Sequence, residues 1–139
     1  MYAPFHNTNF KAIYDLGGDN VGASVFRQFG DFDLTEVDHL LVVNTYREET
    51  NSKDKIIKMI NSIEGSSGLK IKGLINNTNL LKETTFEDVL FGQEVILEVS
   101  KELSIDIVYT CVHETLKIEE NKIHGEIIKL KLYLRQEWL

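Results

Sequence analysis

A single cysteine, a single proline and a single tryptophan occur in 139 residues. One thiol, Cys111, excludes an intramolecular disulfide and fits a reducing compartment. The lone proline, Pro4, falls in the first ten residues, so no later helix or strand is interrupted by a missing amide. No run of about 18 apolar residues occurs, which argues against a membrane-spanning helix. The opening MYAPFHNTNF has neither the basic nor the apolar region of a secretory signal, and a cytoplasmic location is expected. Positive charge is scarce too: 15 Lys and Arg stand against 22 Asp and Glu, a formal net charge of -7. An acidic chain without a basic stripe argues against nucleic acid or anionic lipid as the main partner. The segment 117–135 is richer in Lys, but Glu119, Glu120 and Glu126 dilute it.

What is present is an ordinary hydrophobic share, 42%, in a length suited to one core. Residues 1–10 read as a loose lead-in and 11–139 as a single α/β domain. Lys11–Asp15 (KAIYD) predicts a buried strand that breaks into a loop at Gly17-Gly18. Val21, Val25, Phe26 and Phe29 recur at helical spacing. Asp38–Asn44 (DHLLVVN) predicts a second strand, and Thr50–Ile63 an amphipathic helix. EGSSGLK predicts the helix stop and a turn. Ile71–Asn76 predicts a third strand, and Thr85–Leu103 one long helix or two with a break near Gly92. Ile105–Thr110 predicts a fourth strand. In Leu116–Leu139 the run IIKLKLYL suits either a strand or a terminal helix.

Near-continuous apolar strands separated by helices predict a three-layer fold. Its sheet would be mostly parallel, with helices on both faces, as in Rossmann-like domains. Right-handed crossovers would gather the strand ends on one edge, where such proteins hold ligands. Asp15, Asn44, Asn77 and Thr110 would lie there.

Chemistry concentrates in Asp15-Leu16-Gly17-Gly18-Asp19-Asn20-Val21-Gly22. An acid at a strand's end can hold a magnesium-bound water, and a glycine three residues later lets an amide approach a γ-phosphate. The plainer alternative is a glycine-rich turn with Asp19 capping a helix. YDLGGDNVGA resembles the strand-Asp-x-x-Gly element of the MinD/ParA/CobQ/nitrogenase-iron-protein class of P-loop ATPases. GLINNTN resembles a later strand of that class. DHLLVVNTYREET, EVSKELSIDIVYTCVHE and KLKLYLRQEWL extend the similarity over residues 11–139, with Gln136 where the class usually has Pro. The resemblance implies catalytic roles for Asp15 and Asp19, with magnesium held through Asp15. It also implies nucleotide contacts from Gly17, Gly18, Asn76 and Asn77, Asn77 facing the adenine. An Asn amide both donates to and accepts from adenine's edge, although Asn76 and Asn77 also suit a plain turn.

One element of the class is missing. G-x-x-x-x-G-K-[ST] occurs nowhere, so the backbone nest, the phosphate lysine and the magnesium hydroxyl are absent. Gly65-Ser66-Ser67-Gly68-Leu69-Lys70 has the wrong spacing. The expected function is therefore the C-terminal half of a split or truncated ATPase. It would take ATP and Mg2+ only with a complementing half and is not expected to hydrolyse ATP alone; the expected partner is a Walker A-containing polypeptide or further copies in a homo-oligomer. The alternative is a non-catalytic interaction module on the same fold, with no nucleotide. A flavodoxin-like or receiver-like domain is a third reading, disfavoured because the later strands end in Asn and Thr. His113-Glu114 and His124 lack zinc-protease spacing. Cys111 reads as a buried, inert thiol, and Lys117, Glu119, Glu120 and Lys122 as a solvated turn.

Overall fold

The structure is a computed structural model and describes residues 11–17 and 36–131. Four strands form one sheet: β1 (Leu40–Val43), β2 (Gly73–Asn76), β3 (Ile107–His113) and β4 (Glu126–Leu130). Every neighbouring pair is parallel and the spatial order is β1-β2-β3-β4. Helix α1 (Lys53–Ser67) joins β1 to β2, and α2 (Phe86–Leu103) joins β2 to β3. The chain is thus an α/β protein with a parallel sheet, as its sequence pattern predicts. No helix among the described residues is long and apolar enough to cross a membrane.

Local chemistry sets the helix limits. Ser52 caps α1 by accepting from the Lys55 amide, and Thr85 and Asp88 form a reciprocal capping box at the start of α2. The stop falls inside EGSSGLK, as expected, although α1 runs past Ile63 to Ser67. The residue that ends it is Gly68, at φ 75°, whose amide bonds the Glu64 carbonyl. Only that left-handed position needs a glycine. Helix α2 passes through Gly92 without a break.

Ile56, Ile60 and Ile63 form one stripe of α1, and Ile96 and Val99 belong to α2. They pack with Leu41, Val43, Leu74 and Ile107 into a single core. Each fully buried Ile contributes about 2–3 kcal/mol from apolar burial. Because both helices share that core, both lie on one face of the sheet. This follows from the strand order, since successive right-handed crossovers stepping in one direction stay on one side. The second helical layer expected from the sequence has no member among the described residues. The segment expected to form a helix, 21–29, lies outside them.

The first expected strand is also corrected. Residues 11–17 form no strand, and Ile13 is 99% exposed. A strand needs a partner ladder, and among the described residues β1 pairs with β2 alone, the KAI run adding no ladder to its other edge. The third strand is shorter than expected. The fourth starts two residues later and runs to His113, because a register shift at Leu74/Ile75 places Val108 as the extra residue of β3. Asn76 pairs with Thr110. Thr110 therefore sits within β3 on the helical side, not at the ligand edge where the sequence pattern places it.

The link from β3 to β4 spans residues 114–125 and contains no α-helix, only a 3-10 turn at Glu120–Lys122. Gln93 of α2 fastens it. Its Nε2 donates to the Lys122 carbonyl at 2.9 Å, and its Oε1 accepts from the His124 amide at 2.8 Å. Thr110 Oγ1 donates to the His124 carbonyl at 2.8 Å. Gly125, at φ 81°, then lies so close to β3 that a Cβ there would stand 2.8 Å from the Ile107 carbonyl oxygen.

Candidate functional site at the carboxyl edge of the sheet

The chain leaves β1 and β2 on the same edge, and the two exits are laced together. The Asn77 amide donates to the Val43 carbonyl at 2.8 Å. Thr45 and Thr78, both buried, share a hydroxyl–hydroxyl bond of 3.2 Å, and the Thr45 amide donates to Thr78 Oγ1 at 3.3 Å. Gly92 of α2 lies directly against Thr78, and a Cβ at Gly92 would overlap the Thr78 hydroxyl. This close approach explains the glycine in mid-helix, where it costs about 1 kcal/mol of helix propensity.

The two candidate asparagines separate sharply. Asn76 is fully buried. Its Nδ2 donates to the Val89 carbonyl at 3.1 Å, and its Oδ1 accepts from the Thr78 amide at 3.1 Å. Both ends of that amide are committed to the fold. Asn77 is half-buried at the edge, and its carbonyl accepts from Asn79 Nδ2 at 2.8 Å. Asn44 joins the exits a second time. Its Oδ1 accepts from the Tyr46 amide at 3.0 Å and the Asn79 amide at 3.5 Å, and its Nδ2 donates to the Asn79 carbonyl.

Beside these amides stands an aromatic pair that the sequence pattern does not single out. The rings of Tyr46 and Phe91 stack with centroids 5.8 Å apart and an interplanar angle of 21°. Tyr46 is 40% and Phe91 49% exposed. The Tyr46 hydroxyl donates to Asp88, whose other oxygen accepts from the Thr85 amide and hydroxyl. That bond raises the Tyr46 pKa above its ordinary value, and the same bond, with help from the Thr85 amide, lowers that of Asp88. Thr85-x-x-Asp88 is legible as a cap, but its link to Tyr46 spans 42 residues and has no local sequence signal. In the loop after β2, Leu81 adopts φ 55° and is 47% exposed. A leucine in the left-handed region is a strained residue that packing does not explain.

The hollow on this edge, lined by Leu81, Lys82, Thr84, His113, Thr115 and Leu116, measures about 170 Å³, below the volume usual for a small-ligand pocket. A larger hollow, about 320 Å³, lies at the opposite edge beside Asn61, Gly68 and Lys70. It lacks the strand ends that position ligands in this architecture.

Of the other candidates, Asp15 and Gly17 are exposed in the strandless segment 11–17, and Gly18 and Asp19 lie outside the described residues. No group of three or more His, Cys, Asp or Glu among the described residues is arranged to hold a metal. Cys111 is half-buried, and burial raises its thiol pKa. Glu119 and Lys122 form a 3.1 Å surface ion pair. The chain matches no protein-family model, and comparison with curated proteins and with solved structures finds no match.

Proposed function

We propose that this chain supplies one side of a nucleotide site shared with a second polypeptide that carries a phosphate-binding loop. The observation that carries the reading is Asn77. It sits at the carboxyl end of β2 against the Asn44–Asn79 lacing, whose Asn44 also holds the amide of Tyr46, a member of the exposed Tyr46–Phe91 pair. An amide beside exposed aromatic faces suits the edge and face of an adenine. The DLGGD element, Asp15 to Asp19, would add the magnesium-side acids and the γ-phosphate amide of Gly18, in line with the resemblance to MinD/ParA-like ATPases. Asn76 would support Asn77 from beneath rather than touch the base. ATP and Mg2+ would bind only to the completed site.

Calorimetric titration of the isolated chain with Mg-ATP tests the reading. No saturable heat is expected alone, and binding should appear when a strand–P-loop–helix polypeptide is supplied. Low-micromolar binding to the chain alone would overturn the shared site. A second reading, an interaction module without nucleotide, is favoured by the small volume of the edge hollow. It requires that no binding appear even with the complementing half.

A further inference from the structure

The core occupies one side of the sheet; the other side is apolar as well. Paired residues of a parallel ladder point the same way, so the register assigns faces. Leu41, Val43, Leu74 and Ile107 face the helices. Val42, Ile75, Val108, Tyr109, Ile128 and Leu130 then face away, with Glu126 and His113 as the polar members at the β3–β4 side, and Val42 is 55% and Leu130 41% exposed. Gly73 confirms the assignment, since a Cβ there would meet Leu40 and Val108 together. Neither helix reaches this side. All-parallel sheets are covered on both faces almost without exception, because their strands are apolar on both.

We infer that the open face is the docking site of this chain's own segment 21–29, seated through Val21, Val25, Phe26 and Phe29. Those four residues fall at i, i+4, i+5 and i+8, the stripe of a helix with one apolar side. Nine helical residues span about 13 Å, and four strands span about 14 Å across the sheet. Six residues, 30–35, lie between Phe29 and the described chain at Glu36, a reach of about 20 Å when extended. That is ample to bring the segment from the amino end of β1 over the sheet. The same stripe places Arg27 on the side opposite to it. Because the segment belongs to the chain, it meets the face at an effective concentration in the millimolar range. A second copy of the protein must compete with that at its own dilute concentration.

The lone cysteine reports the outcome. Thr110 faces the helical side, so Cys111 points to the open face, paired with Ile128. In the full-length chain, N-ethylmaleimide should label Cys111 slowly, and Phe26→Asp/Phe29→Asp should speed labelling about tenfold or more by freeing the face. Arg27→Asp, opposite the stripe, should leave the rate unchanged. Equal rates in the wild type and the double variant would overturn the inference. So would protection that grows over roughly a hundredfold range of protein concentration, since that identifies a second copy as the cover. Hydrogen exchange on the unmodified chain decides the matter even if the double variant fails to fold. Amides of 22–29 must be protected, and exchange there at free-peptide rates overturns the docking.

Discussion

Replacing Asn76 and Asn77 one at a time by alanine separates a fold role from a ligand role. Asn76→Ala removes the acceptor of the Thr78 amide, a buried donor. Leaving such a donor unpaired costs about 1–3 kcal/mol. The Val89 carbonyl loses its side-chain donor but lies within α2 and retains its helix bond, so that loss adds about 0.5–1 kcal/mol. A small cavity in a fully closed site brings the total to about 2–4 kcal/mol. Asn77→Ala keeps the backbone bond to Val43 and should cost under about 0.5 kcal/mol. Urea unfolding followed by far-ultraviolet circular dichroism measures both, and the denaturant slopes should match the wild type. Equal costs for the two variants, or an Asn76→Ala cost below about 0.5 kcal/mol, would refute the division of roles.

Other perturbations test the packing and the titrations. Gly92→Ala improves helix propensity yet drives a methyl into Thr78, and thermal unfolding should show a net loss of about 1–3 kcal/mol; a stabilised variant would mean that α2 shifts freely. Leu81→Gly relieves the left-handed leucine, so calorimetry should find it neutral or up to about 1 kcal/mol more stable. Clear destabilisation would show that the Leu81 side chain packs. Burial lowers the pKa of His39 against the opposing pull of the Leu69 backbone and Glu64. Its folded form therefore binds fewer protons than the unfolded chain. The contribution is full above the unfolded value near 6.5 and is lost as pH falls through the lower folded value. His39→Gln should flatten that slope in unfolding measured from about pH 7.5 down to about pH 5. Hydrogen bonding to Asp88 raises the Tyr46 pKa, so its stabilising effect is present below about 10 and is lost as pH rises through the folded value. Asp88→Asn should move the highest tyrosinate step seen by ultraviolet absorbance downward, and no change would place that step on another tyrosine.

Local periodicity explains why so much of the fold is legible in the sequence. The stripe Ile56, Ile60, Ile63 announces α1, and Val89, Ile96, Val99 announce α2, because each helix buries one side. Leu41 and Val43 announce β1 for the same reason. KAIYD misleads because an apolar run says nothing about a partner ladder, and strand pairing is decided far along the chain. Within EGSSGLK the sequence offers two glycines, and the stop is at Gly68 because that residue alone of the two takes the left-handed backbone. At the edge, Asn77 is readable as the residue following a strand. The bonds from Asn44 to Asn79 and from Tyr46 to Asp88 are not, since they close over 35 and 42 residues. Asn76 and Asn77 are adjacent in sequence, and only the fold buries the first within β2 and leaves the second half-buried just past its end.

The Gln93 fastening has a consequence for the order of assembly. A crossover normally brings its own helix, and with it an apolar surface that draws the next strand into place. The 114–125 link brings none, so β4 is laid down by directional bonds to a side chain of a helix already seated. The strand order and the fastening together make β4 a late, separately melting unit at the rim of the sheet. Its amides should exchange ahead of those in β2, and a Gln93→Leu chain should open there first, while the α1–α2 core remains closed.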